Sequence, residues 1–134
     1  MTLLQQSRRF VLALLLTSAA AFFLAPRALA DDGDKFAAIA FSQSTGSYGY
    51  GYGFDARSGA ENEALAQCSG DDAKVVVWVK NGWCALAVGD DNAYGYGWAE
   101  DLGTARKIAL AECRKRTTNS RVVICVSHEG KTQK

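Results

Sequence analysis

Apolar and polar positions along residues 36–126 fall into two runs of the same kind. The first opens on Phe36-Ala37-Ala38-Ile39-Ala40-Phe41, an uninterrupted apolar stretch too short for a helix. After a polar turn it passes into Tyr48-Gly49-Tyr50-Gly51-Tyr52-Gly53-Phe54, a strict alternation. A period of two marks a strand, and it predicts four rings on one face and three glycines on the other. Ala60, Ala64, Leu65 and Cys68 then recur at helical spacing and predict a helix over 60–68, opened by Ser58 and Glu61 as a capping box. Val75-Val76-Val77-Trp78-Val79 reads as a closing strand, and Asn81-Gly82 predicts a type I′ hairpin from it into the strand that begins near Trp83.

The second run repeats the first. Tyr94-Gly95-Tyr96-Gly97-Trp98 answers Tyr50-Gly51-Tyr52-Gly53-Phe54, and Ala109-Leu110-Ala111-Glu112-Cys113 answers Ala64-Leu65-Ala66-Gln67-Cys68. Ala85-Leu86-Ala87-Val88 and Val122-Val123-Ile124-Cys125-Val126 complete the match. The offset drifts between 44 and 47 residues, and the differences fall in the connecting segments, as in a duplicated unit with variable loops. The expected fold is therefore α+β: two tandem β-β-α-β units, roughly 36–80 and 83–127, related by a pseudo-twofold axis and joined in one sheet or two facing sheets. The second helix is expected over 105–116.

Residues 1–30 differ from the rest. They contain no acid and read as Arg8-Arg9, an apolar run from Phe10 to Leu24, Pro26 and the small-residue site Ala28-Leu29-Ala30. This is the pattern of a cleavable signal peptide, with the mature chain starting at Asp31 and with no anchor left in a membrane. Arg8-Arg9 after Ser7 also resembles part of a twin-arginine signal, so both export routes stay open. Arg8, Arg9 and Arg27 account for the difference between the formal charge of +1 for the whole chain and −2 for residues 31–134. A slightly acidic domain gives no reason to expect nucleic acid, and Arg114-Lys115-Arg116 suits the end of a helix, where cations complement the dipole. The predicted location is periplasmic or secreted.

All four cysteines lie in the mature part. An even count in a small exported domain predicts two disulfides, each contributing about 2–4 kcal/mol. If the first helix runs antiparallel to Val75–Val79, that strand separates Cys68 from Cys84 by more than a bridge spans. The preferred pattern is then Cys68 with Cys113 and Cys84 with Cys125; Cys68 with Cys125 and Cys84 with Cys113 is the other.

Taken together, Phe36 to Ser42, the Tyr-Gly-Tyr-Gly segments, Ala64 to Cys68, Val75 to Val79 and Asn81 to Val88 resemble the exported bacterial domain-of-unknown-function family 4189. The resemblance implies export, a shared fold and, for some mycobacterial relatives, a host-directed secreted role. It supplies no catalytic residue. Members often carry a further cysteine before each closing strand, where this chain has Asp72-Ala73-Lys74 and Asn119-Ser120-Arg121.

The aromatic-glycine strands hold the candidate site. One reading makes their rings core, with the glycines admitting a helix. The other makes Tyr48, Tyr50, Tyr52, Tyr94, Tyr96 and Trp98 an exposed platform for a protein or a glycan, since rings offer contact area at low entropic cost. Asp71-Asp72 and Asp90-Asp91-Asn92 fit turns and no EF-hand spacing, and no metal or other cofactor is expected. His128 is the single imidazole and stands near the C-terminus. No nucleophile-base motif or phosphate loop is present. The favoured function is a non-catalytic exported binding or interaction module; the alternative is a small cell-wall- or carbohydrate-acting hydrolase.

Overall fold

The computed structural model describes residues 33–134, and the leader with its cleavage site lies outside the described residues. The chain runs β1 (Phe36–Phe41), β2 (Tyr48–Phe54), α1 (Arg57–Gln67), β3 (Lys74–Lys80), β4 (Trp83–Val88), β5 (Tyr94–Ala99), α2 (Leu102–Arg114), β6 (Arg121–Ser127) and β7 (Thr132–Gln133). It is an α+β fold with two antiparallel sheets, ordered β2-β1-β3 and β5-β4-β6-β7. In both, the first strand of the run is central. The second and the last flank it.

The central strands explain the layering. β1 and β4 are buried on both faces, and each alternates large with small side chains. Ile39 and Phe41 from β1 meet Leu86 and Val88 from β4 in the core between the sheets, joined by Val77, Val79, Ile124 and Val126. On the outer faces, Ala38 and Ala40 pack on Ala60 and Ala64 of α1, while Ala85 and Ala87 pack on Ala105 and Ala109 of α2. The result is four layers, helix, sheet, sheet, helix. Bulky residues fill the space between the sheets, and small ones bring each helix close.

Glycine carries that closeness to its limit. A Cβ on Gly49 or Gly51 would stand 2.2 or 2.5 Å from the carbonyl oxygen of Ala64 or Ala60, and one on Gly95 or Gly97 would meet the α2 backbone at 2.2 or 2.7 Å. The glycine faces of β2 and β5 are therefore packed against helices.

Several local expectations are overturned. α1 starts at Arg57 with Ala56 as its N-cap and no side-chain cap, so Ser58 and Glu61 lie inside the helix and Glu61 instead takes Arg57 at 2.5 Å. The cap belongs to α2, where Asp101 accepts from the Thr104 amide at 2.8 Å. Leu65 is exposed, because the Ala60 and Ala64 face already meets the sheet. Asn81-Gly82 is not a type I′ hairpin. Asn81 is left-handed (φ 56°) but Gly82 is not, and β3 and β4 belong to different sheets. Gly82 is needed for closeness, since a Cβ there would sit 2.6 Å from the Ala99 carbonyl oxygen.

The disulfides are also corrected, since all four cysteines are free. Cys84 pairs across β4 and β6 with Val126, and Cys125 pairs with Ala85. Being one residue out of register, the two thiols point to opposite faces, Cys84 into the inter-sheet core and Cys125 toward α2. Cys68 ends α1 outside one sheet and Cys113 belongs to α2 outside the other, with both sheets between them. Burial pushes the thiols of Cys84, Cys125 and Cys68 above their ordinary range, Cys84 furthest. Cys84, Cys113 and Cys125 serve as small apolar packing groups.

Candidate functional site

The two aromatic-glycine strands lie at opposite edges of the sandwich, because β5 passes over β3 and β2 over β6. Their rings therefore do not form one platform. Tyr48, Tyr50 and Tyr94 are half-buried against the inter-sheet core, with Tyr94 edge-on to Phe41 at 5.0 Å between centroids. The outer rings Tyr52, Tyr96 and Trp98 are exposed. Each strand thus divides its rings between the core and solvent.

The edges then diverge. In β2 the pairing with β1 slips between Phe36 and Ala38, and Gly53 takes φ +77°, so a bulge inserts one residue. Phe54 is thereby turned to the helix side, where Gly59 packs on its ring; the expectation of four rings on one face fails at this residue. Tyr52 stacks on Tyr50 at 6.4 Å and abuts the turn between β6 and β7, where a Cβ on Gly130 would meet its ring at 2.4 Å. In β5 the register with β4 is unbroken, so Trp98 stays on the ring face and is 61% exposed.

At the β5 edge the rings border two grooves. One, of about 710 Å³, runs between β3 and β5 and is lined by Phe36, Val76, Trp78, Lys80, Tyr96 and Trp98 among others. The second, of about 470 Å³, lies between β5 and α2 and is lined by Tyr96, Gly97, Trp98, Ile108, Glu112 and Arg116. Tyr96 and Trp98 form the ridge between them. Phe36 and Trp78 sit 6.2 Å apart between centroids, and the Arg57 guanidinium covers the Trp78 ring at 4.2 Å. Phe36, Trp78 and Ile108 were not among the candidates. Trp78 had a signal, being the one aromatic residue in a run of valines.

The charged groups here are engaged. Lys80 faces Asp34 at 3.7 Å, Glu112 takes Lys115 at 2.8 Å, and Arg116 donates to the Tyr94 carbonyl at 2.8 Å. Elsewhere, Asp72 accepts from the hydroxyls of Ser42 and Ser44 at 2.5 and 2.7 Å and from the Ser44 amide at 2.9 Å. Those bonds hold its carboxyl down to about 2. Asp90 is lowered in the same way by Thr118 and Asn119. Each carboxylate ties the loop after the first strand of its run to the loop after the helix. His128 lies by the Gly82 carbonyl at 3.3 Å. Among the described residues no group of three His, Cys, Asp or Glu side chains is placed to hold a metal, and no helix is long and apolar enough to cross a membrane.

Residues 36–128, which hold both runs and the grooved edge, match a protein family described as a domain of unknown function (DUF4189). The chain belongs to this family. For DUF4189 the match covers every strand and helix except the short β7. No curated protein and no solved structure is a match for the chain.

Proposed function

We propose that this DUF4189 domain is a non-catalytic interaction module working outside the cytoplasm, and that its binding surface is the aromatic edge formed by β3, β5 and α2. One observation carries the reading. Among the described residues six large hydrophobic side chains are exposed, and four of them, Trp78, Tyr96, Trp98 and Ile108, share this edge. Scattered exposed apolar residues are ordinary, whereas a cluster rimmed by charge is the signature of an interaction surface. Aromatic anchors beside a groove supply contact area with few rotamers to freeze. The engaged charges of the grooves favour binding over turnover. The two β-β-α-β runs with matching strand order support a duplicated origin with a pseudo-twofold relation, and the leader read over residues 1–30 supports export.

Capture of partners from envelope and culture fractions by the wild-type protein, Trp98→Ala and Tyr52→Ala tests the proposal. A protein or glycan retained by the wild type and Tyr52→Ala but lost with Trp98→Ala is the expected result. Equal retention by all three would remove the β5 edge from the function. Intact mass of the exported product tests the location, with Asp31 expected as the first residue.

A further inference from the structure

Among the described residues four strands stand at a sheet edge: β2, β3, β5 and β7. Exposed edges invite pairing with other chains, and proteins blunt them with bulges, lysines or extreme shortness. β2 has the bulge at Gly53, β3 is flanked by Lys74 and Lys80, and β7 is two residues long between Lys131 and Lys134. β5 has none of these devices. Its six residues, Tyr94–Ala99, are uncharged, in unbroken register and bordered by the exposed rings.

Resting on the reading of this edge as an interaction surface, we infer that its partner is a second copy of the chain, paired β5 to β5 in antiparallel fashion about a dyad near Gly97. The sequence of β5 is complementary to itself in that register. Directly opposed residues share a face, so Tyr96 falls beside Trp98 of the second copy, twice, and the glycines stay on the helix side. The helix side also matches. Ile108 stands at the level of Gly97, where an added Cβ would meet its Cβ at 2.7 Å, so the two exposed Ile108 side chains meet at the dyad. Charge allows the direction. The Tyr94 end carries Arg116, bonded to the Tyr94 carbonyl, and Lys74, whose Nζ lies 5.8 Å from the Tyr94 ring centre, with Glu112 nearby held by Lys115; the other end has Lys80 in its groove and runs into Glu100 and into Asp101, which caps α2. Antiparallel pairing brings Arg116 and Lys74 toward Glu100 of the second copy.

Sedimentation velocity of the purified protein over a concentration series, with an Ile108→Cys variant for cross-linking, tests this. The expected result is a concentration-dependent dimer whose dissociation constant rises at least about tenfold in Trp98→Lys. Ile108→Cys should form a disulfide-linked dimer under mild oxidation, and Leu65→Cys, exposed on α1, should not. Both replaced side chains are on the surface, and circular dichroism checks that the variants fold. A monomer at every concentration, a dimer indifferent to Trp98→Lys, or cross-linking through Leu65→Cys but not Ile108→Cys would overturn the second copy as occupant. A monomer that still captures a protein or glycan through Trp98 would overturn it while leaving the interaction surface in place.

Discussion

β2 and β5 carry nearly the same sequence and end in different circumstances. Each presents glycines to a helix and rings to the inter-sheet side, yet β2 ends in a bulge, with the β6–β7 turn against Tyr52, while β5 ends in an exposed Trp98 between two grooves. What separates them is the neighbourhood of the last two residues. Gly53 turns Phe54 under α1, and the β6–β7 turn stands against Tyr52. Gly97 keeps the strand regular, and Trp98 projects beside β3. A repeated motif thus builds the same helix–sheet contact twice, and small departures at its end assign structure to one copy and surface to the other.

The largest expected effects come from what the strands share. Gly51→Val and Gly95→Val both drive a side chain into helix backbone and should each cost about 1–3 kcal/mol or more in chemical denaturation. Loss confined to one of the two would break the equivalence of the helix contacts. Next come the differences. Gly53→Ala forces a side chain into a left-handed conformation and should cost about 1 kcal/mol, although nothing crowds that position. A melt unchanged by this substitution would mean that the bulge does not depend on glycine.

Acid sharpens the comparison of the loops. The Asp72 carboxyl titrates lower in the folded chain than in the unfolded one, so its stabilisation is present above the ordinary aspartate range near pH 4 and is lost as pH falls through about 2. Thermal melts from pH 5 to pH 2 should show a smaller acid-dependent loss in Asp72→Asn than in the wild type. Equal losses would mean that Asp72 does not tie its loops in solution. The smallest effect on stability is expected at Trp98. Its ring is mostly in solvent, and Trp98→Ala should stay within about 0.5 kcal/mol of the wild type in the monomeric state. A larger loss would make it a packing residue.

Much of the fold was legible because period and residue size are local properties. Alternation located β2 and β5, the internal match located both helices, and glycine opposite ring foretold close helix packing. The cap of α1 was a local miss, since the helix starts one residue before Ser58; the other misses depended on what lay across space. Whether Tyr96 is wet depends on which strand of the other sheet passes beneath it. The Asn81-Gly82 pair has hairpin chemistry, but the chain uses it to change sheets, with Asn81 bonding Asp34 and the Lys35 backbone. Four cysteines in a small domain suggested bridges, yet the alternation of β4 and β6 had already sent Cys84 and Cys125 to opposite faces. The register that decides this was absent from the cysteine count.

Backbone amide hydrogen exchange across the two aromatic strands tests the central claim most directly, measured in dilute protein and again under associating conditions, at high concentration or with a captured partner. Amides of Tyr96 and Trp98 are predicted to gain protection on association, while those of Tyr50 and Tyr52 stay unchanged. Protection gained in β2 alone, or equally in both strands, would contradict the assignment of the β5 edge as the interaction surface.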